Sequence, residues 1–595
     1  MQYRSMGQVF YERVQRLGER EAYRYKQDDQ WISVDWTGFG RQVRNLALAL
    51  LETGLTKGDR VCVLCNTRRE WELSDKAITL FGGITVGIYQ TLPSSQIEYH
   101  VAHSEAKAIV IEDSAQFHKV LEVLERCPTL QTLIVIDPEG CQGTGFHRFY
   151  EMLDGSDERE QRLGARLDEL AASVEPSDPV TFIYTSGTTG PPKGAIITHY
   201  NLMSEGEWLA VENKVTPDDL TLTWLPFAHI FQRATTAAGT WGGAATAFAE
   251  SIDKLIANLG EVRPTIFYSV PRIYEKAYAK ITENAESGGA AKAAIFHWSM
   301  GVGRKVSRLK QHGKPVPALL GAQYALARRL VFDKIKMLFG GRIRMVASSA
   351  APISPEILEF FHAADILTLE AYGATELTAA ITFNRVDDYR FGTVGKPGGG
   401  IKIKIAHDGE IMVHGPMVFQ GYFKEPQMTA EVLDDQGWYA TGGVGEIDAD
   451  GFLKITDRKK DIIVTSGGKN VAPQNIEGLI KQSVYISQAM VHGDRRNYLT
   501  CLLTLDEEHV KSWAASEGLP IDDWELLCSH AQLGELIQSE VDRANAQLAK
   551  FETIKKFRII PIDFSVESGE LTPTLKVKRK VVTDKYKHLL DEMYL

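Results

Sequence analysis

The densest chemistry in the sequence lies in Tyr184-Thr185-Ser186-Gly187-Thr188-Thr189-Gly190-Pro191-Pro192-Lys193-Gly194. Hydroxyl side chains, three glycines and one lysine follow directly on the apolar run VTFIY. Glycines let backbone N–H groups approach phosphate oxygens closely. Hydroxyls add donors, and a lysine adds a point charge. A Walker A loop would end Gly-Lys-Ser/Thr; here Pro192 precedes Lys193 and Gly194 follows it. The alternative is a hydroxyl-rich turn with no ligand. A loop placed at the end of a buried strand argues against that reading.

Further candidates recur downstream in a fixed order. Ala371-Tyr372-Gly373-Ala374-Thr375-Glu376 offers a flat ring, a hydroxyl and one hard carboxylate within six residues, a weak motif by itself. Taken alone, the same residues read equally as a helix start at Thr375. Asp457-Arg458-Lys459-Lys460 places a rigid fork of donors beside two ammonium groups, or a solvated turn. SGELTPTLKVKRK adds four basic residues, among them Lys576 and Lys578. His229 in LPFAHIFQR competes with a reading as a core histidine. Gly467 and Gly468 form a glycine loop or a tight turn.

The phosphate loop, Tyr372–Glu376, Thr441-Gly442-Gly443, Asp457–Lys460, Gly467-Gly468-Lys469-Asn470 and Pro573-Thr574-Leu575-Lys576 appear in the order found in adenylate-forming enzymes. The whole chain resembles that superfamily. LPFAHIFQR, GGKNVAPQNIE and LTPTLKVKR look most like its bacterial long-chain fatty acyl-CoA synthetases. The resemblance implies ATP-dependent ligation of a medium- to long-chain fatty acid to coenzyme A, with Mg²⁺, through an acyl-adenylate. Lys576, Thr375, Glu376 and His229 would then be catalytic. ATP and coenzyme A would be held by Thr185, Ser186, Gly187, Thr188, Thr189, Gly190, Lys193, Ala350, Tyr372, Gly373, Gly443, Arg458, Lys460, Gly467 and Gly468. Glu376 and Thr188 would face the metal. Lys578 is the runner-up to Lys576.

One position departs from the family pattern. Thr-Gly-Asp is expected, its aspartate accepting both ribose hydroxyls, and the chain has Gly443. Its neighbours Trp438, Tyr439, Thr441, Gly442, Gly445, Glu446 and Asp448 are all in place. A hydrogen bond to a charged group is worth roughly 1.5–3 kcal/mol, so nucleotide affinity falls about 10- to 100-fold. The change is incidental or engineered, or marks a natural weak ATP site, or marks lost catalysis. The survival of Glu376, Lys576 and the loop speaks against the last. Two rival readings remain: an enzyme that loads a carrier protein, told apart by whether free coenzyme A consumes the adenylate, and a non-catalytic acyl- or nucleotide-binding protein, told apart by fatty-acid binding without AMP formation.

These residues need elements to hold them. RVCVLCN (60–66), ITVGIY (84–89), AKAIVIED (106–113) and LQTLIVID (130–137) read as strands, with a helix over 69–82. Ser94 or Ser95 is expected to cap the next helix, with Glu98 in its first turn. Such alternation predicts an α/β fold with parallel sheet covered on both faces. Residues 154–178 are polar, and 284–336 look helical. After Gly451, FLKITDRKKDIIVTSGGKN reads as a strand, a charged turn, another strand and a glycine loop, followed by the helix PQNIEGLIKQ, the strands SQAMVHGD and LTCLLTLD, two helical stretches and the strand FRIIPIDF. The division expected is a large N-terminal domain of parallel and mixed sheets, 1–457, and a small mobile α+β domain, 458–595. The hinge falls within Asp457–Asp461, near Lys460.

The whole chain sets outer limits. It has 595 residues, too many for one compact core. Hydrophobic residues are 44% and charged residues 24%, values of an ordinary globular protein. The net charge of −11 disfavours sequence-independent nucleic-acid binding. Between Arg304 and Lys336, nine Lys/Arg (304, 305, 308, 310, 314, 328, 329, 334, 336) stand against one acid, Asp333. That run is a solvated helix face, or it meets acidic lipid or ligand phosphates. No apolar run reaches the ~18–20 residues of a membrane helix. Six cysteines, with Cys62 and Cys65 in a buried strand, read as structural thiols. The expectation is a cytoplasmic monomer or homodimer, peripheral at the inner face of a membrane that holds its substrate.

Overall fold

The computed structural model describes residues 2–143, 145–185, 191–466, 469–565, 568–572 and 576–595. Two large sheets make up most of the chain. The first has eight strands. Its centre is the parallel set Ile84–Ile88, Arg60–Leu64, Ala108–Ile111 and Thr132–Val135. β1 (Pro179–Thr185) runs parallel to Ile84–Ile88, and β2 (Lys193–Thr198) returns antiparallel to β1. All residues of 61–64, 84–88 and 108–111 are buried, as expected for parallel strands covered on both faces. Cys62 and Cys65 are buried free thiols in this layer, and burial pushes the Cys62 thiol up to about 12.

The expected strands form with shorter ends, and the helix at 69–82 spans Arg69–Leu80. One start differs. Pro93 is the N-cap of helix Ser94–Ser104, without a capping side chain. The Ser94 hydroxyl instead donates to Glu122 Oε2 at 2.5 Å, and no acid lies in the first turn. Proline already fixes φ at the entrance, so the serine is released to a tertiary partner.

The second sheet has nine strands. α1 (Ile230–Gly242) leads into its strand Ala245–Phe248. Three helical elements cover the far side: Pro271–Glu286, α2 (Ala290–Gln311) and α3 (Ala318–Ala327). A π-turn at Arg328–Phe332 joins α3 to helix Asp333–Leu338. β3 (Met345–Ser348) and β4 (Thr368–Ala374) follow as parallel neighbours near one edge. The hydrophobic cluster here is dense in phenylalanine: Phe267, Phe332, Phe339, Phe360 and Phe361 are all buried.

A four-stranded antiparallel sheet comes next, Lys402–Ile405, Glu410–His414, β5 (Tyr439–Ile447) and β6 (Leu453–Arg458). Beyond it the chain builds separate cores. Two hydrophobic clusters contain only residues from Ile463 onward. They surround the strands Ile486–His492, Leu499–Leu505 and Ile554–Ile560, the last two parallel. Three helices, not two, lie between the second and third of these strands, because Trp524–Cys528 adds a short one.

Candidate active site

The site gathers where β1, β4 and β6 end. Thr185 and Lys193 face each other as the last register pair of β1 and β2. They hold the mouth of the glycine loop; Ser186, Gly187, Thr188, Thr189 and Gly190 lie outside the described residues, as do Gly467 and Gly468. The Lys193 ammonium sits 5.0 Å from the centre of the Tyr422 ring. Tyr422 is buried, and its hydroxyl donates to Glu376 Oε1 at 2.7 Å.

Glu376 lies in a single 3₁₀ turn, Thr375–Leu377, rather than at the start of a longer helix. That turn is pinned on every side. The Glu376 carbonyl accepts from the Phe419 N–H at 2.9 Å, and Thr378 Oγ1 donates to the Met417 carbonyl at 2.6 Å. Gly373 is required just before it: a Cβ there would stand 1.3 Å from the Ala379 carbonyl oxygen. Ala350, at the end of β3, takes φ +74°, a left-handed conformation unusual for alanine. Its neighbour Ser349 donates to the Ala371 carbonyl, tying β3 to β4.

Two basic groups enter the same space from the other side. The Lys576 side chain is half-buried, and its pKa is lowered to about 7, first by burial and then by the Arg458 charge. His229 caps α1, its Nδ1 accepting from the Phe231 N–H at 3.1 Å. That bond leaves Nε2 as the N–H donor of the neutral ring. Burial, and after it Lys576, lowers the His229 pKa to about 3, so the ring is neutral throughout the ordinary range. Burial and the Arg458 charge also lower the Lys460 pKa, with Glu376 opposing and Lys193 adding to the shift. Lys193, Glu376, Arg458, Lys460, Lys576 and His229 therefore form one electrostatic neighbourhood. Lys578 stands at the N-cap position of helix Arg579–Lys585, with no capping bond from its side chain. Lys576, ranked ahead of Lys578 in the sequence, is the lysine whose charge couples to His229 and Arg458.

Gly443 pairs in register with Arg458 between β5 and β6. Its backbone permits a side chain, but a Cβ would meet the Tyr372 hydroxyl at 2.7 Å and Thr441 Oγ1 at 3.3 Å. Gly442, at φ +68°, donates to Glu410 Oε1 at 2.9 Å. Glu410 Oε2 in turn accepts from Lys459 at 2.9 Å. Neither Tyr422 nor Glu410 was singled out from the sequence. Tyr422 is 46 residues from Glu376, and no local spacing signals the contact. Among the described residues, no group of three or more His, Cys, Asp or Glu forms a metal cluster.

The model of the AMP-binding enzyme family matches residues 10–423, and that of its C-terminal domain matches 460–595. The chain belongs to the AMP-binding enzyme family. Similar members include the long-chain-fatty-acid–CoA ligase FadD15 of Mycobacterium bovis, 36% identical over 95% of this chain and 93% of that protein. The peroxisomal long chain acyl-CoA synthetase 7 of Arabidopsis thaliana is 32% identical over 95% of this chain and 81% of its own length. Among solved structures, the adenylation domain of a carboxylate reductase from Mycobacterium chelonae superposes with a TM-score of 0.76 at 21% identity. It covers all of this chain and 92% of that one. The anthranilate CoA ligase AuaEII, in complex with anthranoyl-AMP, gives 0.74 at 17% identity, covering 99% and 98%. Both fix the AMP-binding enzyme fold for this chain.

Proposed function

We propose that the protein ligates a medium- to long-chain fatty acid to coenzyme A, consuming ATP and releasing AMP and pyrophosphate. The observation that carries this reading is the half-buried Lys576 ammonium coupled to Arg458 and His229, within one neighbourhood with Glu376. The long-chain part rests on relatives over 30% identical along nearly the whole chain, named as long-chain acyl-CoA ligases and synthetases.

In the first step a carboxylate oxygen bonds to the α-phosphorus of ATP, and pyrophosphate leaves. Lys576 neutralises charge on the carboxylate and α-phosphate, and Thr375 donates to that phosphate. Lys193 and the loop 185–190 guide pyrophosphate departure. Tyr372 stacks on adenine, Gly373 and Ala350 shape the nucleotide floor, and Arg458 binds ribose or α-phosphate. His229 presents a neutral N–H donor to the acyl and pyrophosphate side. Mg²⁺ on the phosphates would lower the charge barrier. Glu376 fits such an ion: Tyr422 holds Oε1, and no described hydrogen bond engages Oε2. Thr188 is the second group assigned to it, with phosphate oxygens and water completing the shell. In the second step the coenzyme A sulfur bonds to the acyl carbon, its proton is released, and AMP leaves; Gly467 and Gly468 line the pantetheine path.

The reading includes a boundary near 457–458 and a hinge at Lys460, so that the C-terminal domain turns between the two steps. Separate hydrophobic clusters beyond Ile463 support it. It also includes a peripheral relation to membrane. Among the described residues no helix is long and apolar enough to cross a bilayer, while the acyl substrate partitions into one.

The test is mass spectrometry of products formed from ATP, Mg²⁺, coenzyme A and a ladder of fatty acids. Acyl-CoA from long chains is the expected result. Acyl-adenylate that free coenzyme A never consumes would transfer the assignment to a carrier-protein acceptor. Fatty-acid binding with no AMP would overturn catalysis.

A further inference from the structure

From Ser287 to Phe332 the chain contains no Asp or Glu, and eight Lys or Arg, inside a protein of net charge −11. The structure sorts the cations of this stretch, with Lys334 just beyond it, into paired and unpaired ones; Arg328 pairs with Asp333. Arg304 pairs with Glu356, Arg308 with Glu359, and Lys310 with Asp365, across to a neighbouring helix or its end. Lys305, Lys314, Arg329 and Lys334 are exposed and have no ion pair among the described residues. Lys305, Arg308, Leu309, His312 and Lys314 line a shallow open recess of about 380 Å³ at the end of α2.

α3 begins four residues beyond Lys314. Its inner face is made by Leu320, Tyr324 and Ala327, with the Tyr324 hydroxyl donating to the Ala363 carbonyl at 2.9 Å. Its outer face is the reverse of a normal solvent face. Leu319 is 76% exposed and Leu326 51%, two turns apart on α3; Leu330, in the π-turn that follows, is 38% exposed, and Met337 adds 56% one helix on. Only Ala327 of α3 is fully buried. Apolar residues standing together in water mark a docking surface.

We propose that this outer face of α3, with the basic recess beside it, docks on an anionic phospholipid bilayer. The proposal rests on the peripheral membrane reading above and gives it a place on the molecule. Charge decides the occupant. A second copy in a two-fold pair would set Lys305, Lys314, Arg329 and Lys334 against the same cations, which costs energy. An anionic headgroup layer matches them, while Leu319, Leu326, Leu330 and Met337 reach the acyl boundary beneath, the arrangement of interfacial helices. The same contact brings the ligase to the surface where its acyl substrate is dissolved.

The test is flotation of the full chain with vesicles of phosphatidylcholine alone, and with part replaced by phosphatidylglycerol, at low and high salt. The wild type is expected to bind the anionic vesicles, and less so at high salt. Leu319→Glu/Leu326→Glu and, separately, Lys305→Glu/Lys314→Glu should each lower partitioning about 10-fold or more. Lys511→Glu, on helix Glu507–Ser516 outside this face, should not. Thermal melts and ligation of a soluble short-chain acid should match the wild type, separating loss of docking from loss of fold. If both double variants float like the wild type, this face is wrong while peripheral binding stands. If the wild type binds neither vesicle, both fall. If the leucine variant instead dissociates a dimer and still floats, the face covers a second copy and the proposal is overturned.

Discussion

The two sides of the candidate cleft are built on opposite principles. The wall formed by β3, β4 and the turn after it is locked by backbone. Gly373 is wedged against the Ala379 carbonyl, Glu376 is gripped by Tyr422 and Phe419, and Ala350 is held in a left-handed conformation. The facing side consists of long cations, Arg458, Lys460 and Lys576, and of the gap at Gly443. On the proposed reading, rigid backbone fixes where a metal and phosphate would sit. Reaching side chains would supply charge there, and the burial that lowers the Lys576 pKa to about 7 works against holding that charge without a ligand.

Removing the reaching charge should have the largest effect. Lys576→Ala is expected to lower kcat/KM for adenylate formation about 10²–10³-fold, the usual loss for one positioned charge donor. Thioester formation from supplied acyl-adenylate should change little. The pH dependence tests the same group. With a pKa lowered to about 7, the free enzyme carries the Lys576 ammonium below that pH and loses it above. Therefore kcat/KM should fall as pH rises through 7 to 9. Bound phosphate and carboxylate restore the charge, so the limb in kcat should lie higher. Lys576→Arg keeps its proton and should abolish the limb. A pH profile identical in wild type and Lys576→Arg would show that the ammonium does not govern the step.

The two sides were not equally legible in the sequence. The locked wall announced itself because Tyr372–Glu376 needs hydroxyl, glycine and carboxylate at fixed spacing. The strands beneath it are continuous apolar runs, so Arg60–Leu64, Ile84–Ile88 and Ala108–Ile111 were readable to within two residues of each end. What locks the wall was not legible. Tyr422 meets Glu376 only through the fold, and the strained φ of Ala350 leaves no mark in an Ser-Ala-Ala-Pro run. Ser94 misled because capping residues are recognised by type, while Pro93 and Glu122 decided its use. On the reaching side, Lys576 was preferred to Lys578 on the Pro-Thr-Leu-Lys-Val match alone, and its place beside His229 comes only from the fold.

Gly443 tests whether the facing side is incomplete. Gly443→Asp should tighten ATP or AMP binding about 10-fold in calorimetry, the lower end of a charged hydrogen bond at ~1.5–3 kcal/mol. The Tyr372 hydroxyl must swing away from the new Cβ, which consumes part of the gain. Gly443→Asp in a Tyr372→Phe background should therefore gain more than in the wild type. Equal or weaker nucleotide binding in both would mean that other groups already satisfy the ribose, and that the gap is not a defect.

The smallest effect is expected on the locked wall. An L-residue in the left-handed region costs about 1–2 kcal/mol, and glycine there returns roughly 0.5–1 kcal/mol of that through its freer unfolded chain. Ala350→Gly should thus stabilise the N-terminal unfolding transition by about 0.5–1 kcal/mol in denaturant titration. The strain sits one β-strand from Tyr372, at the level where the nucleotide floor is assigned. If it serves to hold that floor, the more stable variant should bind nucleotide more weakly. If stability and nucleotide affinity rise together, the strain is a cost of the turn alone, and the rigidity of this wall comes from the Glu376–Tyr422 and Gly373–Ala379 contacts instead.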